Sequence, residues 1–238
     1  MAENRSVFAF KEFQLAHGNP GLKISTEACL FGAIASNYAS GHVLDIGTGC
    51  GLLACMIAQK TPESSIKAIE IHKQVAELAK KNVLNSPYSD QIEIISCDLK
   101  VYNPQQTFDF IVCNPPFFSK HLASQNESKQ IAIHDDLLSP EQLVKSIKCL
   151  LHPAGKAMVL YPTLNMNLLE EYLFKNQLYI NYLFHIYSKP NTTILREIAI
   201  ISPIKMTKEI EEIEVKNEEN EYSEKFKKLL QPYYLIFP

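Results

Sequence analysis

The sequence has no apolar run long enough to cross a membrane: stretches such as Ile198 to Ile201 fall far short of the ~18 residues that a bilayer demands. No charge of one sign dominates either, since 23 Lys and Arg face 26 Asp and Glu for a net of −3. A general basic footprint for nucleic acid is therefore missing, and any such surface has to be local. No CxxC pair occurs among the six cysteines, Cys29, Cys50, Cys55, Cys97, Cys113 and Cys149. Most of them stand in apolar segments (IEIISCD, DFIVCN, SIKCLL), which argues for reduced core thiols against a disulfide framework or a metal site. There is no internal repeat. The stretch MAENRSVFAFKEF lacks the apolar core of a secretory signal, so the cytoplasm is the expected address. What remains is ordinary globular usage, 46% hydrophobic and 21% charged, which excludes a disordered or collagen-like chain. At 238 residues the chain holds one large domain, or one domain with a small appendage.

Strand-like and helix-like segments alternate along the chain. Val43 to Ile46, Ile66 to Ile71, Ile92 to Ser96, Thr107 to Cys113 and Lys156 to Tyr161 read as strands. Between and after them, Leu52 to Lys60, Lys73 to Asn85, Pro140 to Leu151 and Leu164 to Lys175 read as helices, with Pro140 in a first turn. This order predicts a parallel sheet covered by helices on both faces. Two more strands, Ile180 to Tyr187 and Ile194 to Ser202, are joined by SKPNTT, too short for a helical crossover, so that pair is antiparallel. The expectation is an α/β sheet, mostly parallel, that closes on an antiparallel strand. Residues 1–41 flank this core (42–204) on one side. On the other, residues 205–238 comprise a Glu- and Lys-rich segment, read as a solvated face, then a short helix (Tyr222 to Leu230) and the apolar PYYLIF strand or tail.

Two motifs carry chemistry. Asp45-Ile-Gly47-Thr48-Gly49-Cys-Gly51 follows a strand and opens a helix. Its glycines permit positive φ and close approach of the backbone to a ligand. A dinucleotide fingerprint needs its third glycine one place later, where Leu52 stands. The carboxylate of Asp45 would repel a pyrophosphate but accept from an amine or hydroxyl. The pattern thus suits a nucleoside that bears a positive centre. Glu70 closes the second strand, where an acid takes both ribose hydroxyls. Asp98 closes the third, placed to accept from an adenine amine while Leu99 packs on the ring. In open α/β sheets ligands lie at these carboxyl ends. The second motif is Asn114-Pro115-Pro116-Phe117, straight after the strand DFIVC. Consecutive prolines stiffen the turn and leave carbonyls as acceptors, and the Asn114 carboxamide adds another. Two acceptors aimed at one point suit an amino group that must lose its planarity, with Phe117 as a stacking face.

DIGTGCG, AIEI, SCDL and NPPF, in this order and spacing, resemble the class I S-adenosylmethionine-dependent methyltransferases, and within them the NPP(F/Y) amino-methyltransferases. Phe8-x-Phe10-Lys11-x-Phe13, His17, Lys23-Ile-Ser25-Thr26-Glu27 and Gly32-Ala33 narrow the resemblance to the family that N6-methylates adenosine 37 of valine tRNA. It extends over nearly the whole chain, including YSEKFKKLLQPYYLIF. It implies a Rossmann-like sheet of seven strands, with S-adenosylmethionine as donor and S-adenosylhomocysteine as product. It also implies a tRNA substrate and a monomer without metal or membrane. Catalysis falls to Asn114, Pro115, Pro116 and Phe117. The cofactor falls to Lys23, Thr26, Asp45, Gly47, Thr48, Gly49, Gly51, Glu70, Ile71, Asp98, Leu99 and Asn114. For RNA the basic candidates are Lys11, His17, Lys23, Lys120, Lys129 and His134, each of which, taken alone, reads more readily as an ordinary solvated side chain. Arg196, on an apolar strand, reads as a structural pair partner. NPPF stands where NPPY is commoner, so no tyrosine hydroxyl acts there. Alternatives are an NPP(F/Y) enzyme acting on rRNA, DNA or a protein glutamine, and a non-catalytic protein that binds S-adenosylmethionine and RNA.

Overall fold

A computed structural model of the chain describes residues 7–17, 24–115 and 138–238. The helix over Leu52–Lys60 (α2) forms because seven consecutive side chains, Leu52 to Ala58, find apolar partners, and it starts from Gly51 in the left-handed conformation. It is preceded by Thr26–Ala35 (α1), whose N-cap Ser25 accepts from the Ala28 N–H through Oγ at 3.2 Å. Lys73–Leu84 (α3) follows. Pro140–Leu150 (α4) opens on a capping box made by Ser139 and Gln142, with the proline in its first turn. Thr163–Lys175 (α5) and Glu224–Leu230 (α6) complete the helices among the described residues.

The strands are Val7–Ala9 (β1), Gln14–Ala16 (β2), His42–Ile46 (β3), Ser65–Glu70 (β4), Ile92–Ser96 (β5), Phe108–Cys113 (β6), Leu151–Tyr161 (β7), Tyr179–Tyr187 (β8), Ile194–Ser202 (β9) and Glu209–Glu214 (β10). The main sheet runs β10-β8-β9-β7-β6-β3-β4-β5. Only β9 opposes its neighbours, β7 and β8; every other pairing is parallel. The expected mostly parallel sheet with an antiparallel closing pair is present. Side chains on one sheet face pack with α1, α2, α3 and α6, and those on the other with α4 and α5. Chain order reverses at β3, whose neighbours are β4 on one side and β6 on the other. That reversal opens the crevice in which α/β sheets hold ligands.

Three features differ from the sequence reading. The sheet has eight strands, because the Glu-rich segment supplies β10 as a parallel edge beside β8. Ile213 is buried there, while Glu211 takes the Tyr182 hydroxyl at 2.5 Å and lies 2.6 Å from Lys225 Nζ. Charged residues suit such a position, since an edge strand keeps water on its outer side and has to discourage pairing with other chains. Second, residues 7–16 form an antiparallel hairpin, β1 with β2, that no periodicity announced. Third, the tail forms no strand: it turns back into the core, and the Tyr233 hydroxyl shares its single proton between Ser36 Oγ at 2.8 Å and the Met56 carbonyl at 3.0 Å. Tyr233 has no exposed surface. Tyr233→Phe is therefore expected to cost about 1–2 kcal/mol of stability, read as a lower urea midpoint at unchanged slope.

Among the described residues no helix is long and apolar enough to cross a membrane. All six cysteines are unpaired; Cys29, Cys50, Cys55 and Cys113 are buried, whereas Cys97 is half-buried and Cys149 exposed.

Candidate active site

The register of four strands, β3 to β6, assembles the site. Ile46 pairs with Ile69 on one side and with Cys113 on the other, and Glu70 pairs with Ser96. Gly47 and Asn114 therefore follow strand ends that stand side by side, about 4.8 Å apart. Glu70 lies at the next strand, and Asp98 two residues beyond the end of the one after.

The turn from Gly47 to Gly51 is built from backbone that other residues rarely adopt. Its glycines have φ of 70°, 59° and 90°. A side chain at Gly47 would meet no atom within 4 Å, so the backbone there borders open space. Four of the turn's five N–H groups are already used internally. Gly47 and Thr48 donate to the Ile69 carbonyl at 2.9 and 3.0 Å, Gly51 donates to the Thr48 carbonyl at 3.0 Å, and Gly49 donates to Glu70 Oε2 at 3.1 Å. A phosphate-binding nest needs such donors free. Their occupation agrees with the glycine spacing in disfavouring a pyrophosphate.

Asp45 has no exposed surface. Its Oδ2 accepts from the Thr48 hydroxyl at 2.6 Å, while Oδ1 is buried without a partner among the described residues. Burial pushes this carboxyl up to about 7; the Thr48 hydroxyl and the Ala54 N–H oppose that rise, and the neighbouring Glu70 adds to it. Glu70 is buried too, and its Oε1 accepts from the His72 N–H at 3.0 Å. With Oε2 on Gly49, each oxygen retains capacity for one further donor. Asp98 is half-buried and its Oδ1 accepts from the Lys100 N–H at 2.9 Å. Leu99 is buried in the core on the α4 and α5 side of the sheet, and Ile71 is exposed at the end of β4. Thr26 opens α1, half-buried, and the body of that helix packs on α2.

Asn114 is half-buried, but its Oδ1 is shielded from water and has no hydrogen-bond partner among the described residues. Pro115 beside it is buried. An amide oxygen desolvated without a partner costs free energy in the unliganded protein. An oxygen so placed is able to accept from a donor that a ligand brings.

The structure thus brings together Asp45, Gly47, Thr48, Gly49, Gly51, Glu70 and Asn114, with Asp98 and Ile71 at the neighbouring strand ends. Lys11 is exposed in the β1–β2 turn and His17 is half-buried just after β2. Lys23, Pro116, Phe117, Lys120, Lys129 and His134 lie outside the described residues. Arg196 is half-buried on β9 and donates to the Leu195 carbonyl at 2.6 Å. Among the described residues no group of three or more His, Cys, Asp or Glu side chains is placed to hold a metal.

Two polar groups escaped the sequence reading. Asn82 of α3 is buried behind the glycine turn and donates to the Cys50 carbonyl at 2.8 Å. Its only signal was an amide at a position where helical spacing calls for an apolar side chain. Glu197 of β9, 4% exposed, faces His185 of β8 at 3.1 Å, and its Oε2 has no partner among the described residues. The charge inside ILREIAIIS pointed there, although Arg196 drew the attention.

Residues 24–161 match the family model described as the methyltransferase small domain. The tRNA1(Val) (adenine(37)-N6)-methyltransferase of Pseudoalteromonas translucida is 34% identical over 230 residues, 97% of this chain and 99% of the relative. The enzyme of the same name from Bacteroides thetaiotaomicron is 34% identical over 229 residues, 96% of this chain and 97% of the relative. Among solved structures, a predicted O-methyltransferase, Atu636 from Agrobacterium tumefaciens, superposes with a TM-score of 0.68 at 13% identity, covering 84% of this chain and 93% of that one. TrmN from Thermus thermophilus gives 0.54 at 19% identity, covering 76% and 49%. At these identities the two structures speak for the fold alone.

Proposed function

The chain belongs to the tRNA1(Val) (adenine(37)-N6)-methyltransferase family, and from that membership we propose that it methylates N6 of adenosine 37 in valine tRNA, in the cytoplasm and as a monomer. The methyl donor of the family is S-adenosylmethionine, which when bound supplies an electrophilic methyl group on a sulfonium. The residues present fit it. A glycine turn with open space above Gly47, a buried carboxylate at Glu70 with a free position on each oxygen, and the unpartnered Asp45 Oδ1 answer to a polar, cationic nucleoside. We assign the ribose hydroxyls to Glu70, the adenine amine to Asp98, and the remaining contacts to Lys23, Thr26, Ile71, Leu99 and the turn from Asp45 to Gly51.

The observation that carries the catalytic reading is the buried, unpartnered Oδ1 of Asn114 directly after β6. The lone pair of an exocyclic adenine nitrogen is delocalised into the ring, which makes it a poor nucleophile. Asn114 Oδ1 and the Pro115 carbonyl each accept one N6–H, which favours a pyramidal nitrogen and frees its lone pair. As the methyl group passes from sulfur to nitrogen, leaving the neutral thioether S-adenosylhomocysteine, the nitrogen becomes acidic and gives up its proton to water without a strong base in advance. Much of the acceleration comes from positioning, for which ideal geometry reaches effective molarities of ~10⁵–10⁸ M. The adenosine has to leave its stack first, at a cost of a few kcal/mol that is smallest in a loop.

Nucleoside mass spectrometry tests the substrate. Incubation with S-adenosylmethionine and unmodified valine tRNA is expected to yield N6-methyladenosine, with none in bulk rRNA and no methylation of total protein. Transfer to rRNA or protein instead would keep the chemistry and discard the tRNA. For the cofactor, Glu70→Ala is expected to weaken S-adenosylmethionine binding by about a hundredfold, because it removes two charge-assisted hydrogen bonds and the brace on Gly49. Glu70→Gln, which still accepts, falls between. Calorimetric titration decides, and unchanged affinity in Glu70→Ala would remove the ribose assignment.

A further inference from the structure

The N-terminal hairpin lies outside residues 24–161, which the methyltransferase family model matches, yet one side chain wires it to the glycine turn. Asn82 is 5% exposed. Its Nδ2 donates to the Cys50 carbonyl and to the Ala16 carbonyl, both at 2.8 Å, and its Oδ1 accepts from the Ala16 N–H at 3.0 Å. Both N–H groups and the oxygen are therefore in use. Towards Ala16 the carboxamide makes the two-bond exchange that a neighbouring antiparallel strand would make. In effect α3 offers β2 a one-residue strand partner. Towards Cys50 the same amide holds the peptide that lies between Gly49 and Gly51, both at positive φ. The far side of the hairpin is anchored as well. The Tyr88 hydroxyl donates to Glu12 Oε2 at 2.8 Å, Phe13 packs edge-on against Tyr88, and the Lys11 N–H donates to the Tyr233 carbonyl. Leu15, between these anchors, has no exposed surface.

We propose that Asn82 is a positioning residue through which the N-terminal hairpin sets the glycine turn, making the hairpin part of the cofactor site and not only an RNA-facing appendage. This rests on reading that turn as the S-adenosylmethionine site. The Cys50 carbonyl has to stay where Asn82 holds it for the Gly49 N–H to meet Glu70. Asn82 can hold it only while Ala16 fixes the other half of the amide.

Calorimetric titration with S-adenosylhomocysteine tests the proposal without turnover. Wild-type protein has to bind first; if it does not, the reading of the turn falls and not the wiring. Asn82→Ala is expected to bind about tenfold more weakly. Asn82→Asp, although isosteric, is expected to be worse than alanine, because a carboxylate has no N–H for either carbonyl and turns negative charge on both. A side chain that merely filled space would give the opposite order. Ala16→Pro, which removes the N–H from the hairpin side, is expected to match the loss in Asn82→Ala. In turnover assays Asn82→Ala is expected to raise KM for S-adenosylmethionine with kcat within about twofold, since it touches no reacting atom. Wild-type affinity in Asn82→Asp, or in Ala16→Pro, overturns the proposal. If Asn82→Asp fails to unfold cooperatively, Ala16→Pro and the KM-against-kcat split in Asn82→Ala decide.

Discussion

Asn114→Ala is expected to lose roughly two to three orders of magnitude in turnover, the scale seen when one preorganised polar contact to a reacting group is removed. S-adenosylmethionine affinity and melting temperature are expected to stay close to wild type. The contrast follows from what Oδ1 touches. It has no hydrogen-bond partner among the described residues, so its removal orphans none of their polar groups. A residue that only held the turn after β6 would behave in the other way, with stability falling and activity following it. Asn114→Asp keeps an acceptor at the same place and is expected to retain more activity than alanine, at some cost in burying a charge. Single-turnover kinetics with saturating cofactor measures the step itself, free of product release. Loss of cofactor binding in Asn114→Ala would make the residue structural.

Much of this site was legible because the signals are local. The boundaries of α2, β5 and β9 coincide with the sequence reading, since each is a dense apolar run closed by a turn residue or a polar cluster. The glycine turn was legible because positive φ at three places within five residues leaves little choice of side chain. What escaped is what depends on partners distant in sequence. Strands of three residues, as in β1 and β2, carry no periodicity, and they exist because Asn82, Tyr88 and Tyr233 receive them. β10 was hidden by its glutamates, which satisfy an edge strand as well as a loop. Asn82 and Glu197 look like flaws in an apolar pattern until their partners, 66 residues away in one case and across a strand pair in the other, are in place.

Asp45→Asn is expected to trade function for stability in a pH-dependent way. Burial raises the Asp45 carboxyl from 3.8 to about 7 in the folded protein. Between these values the folded state holds a proton that the unfolded state has released. Stability from this group is therefore complete below about pH 4, falls as pH rises, and is gone above about 7. The full difference is on the order of 4 kcal/mol. Asparagine keeps an acceptor for the Thr48 hydroxyl and carries no charge to desolvate. At pH 8 the variant is expected to melt higher than wild type, and at pH 5 the gap is expected to narrow towards zero. Binding runs the other way, because an ionised Asp45 favours a cationic ligand. S-adenosylmethionine affinity in wild type is expected to rise from pH 6 to pH 8, and in Asp45→Asn to be at least about tenfold weaker with that rise flattened. Thermal melts and titrations on the same two proteins across pH separate the effects. A variant that melts lower at pH 8 would mean that the charged bond to Thr48 outweighs the burial of the carboxylate, and that this side chain belongs to the fold before it belongs to the site.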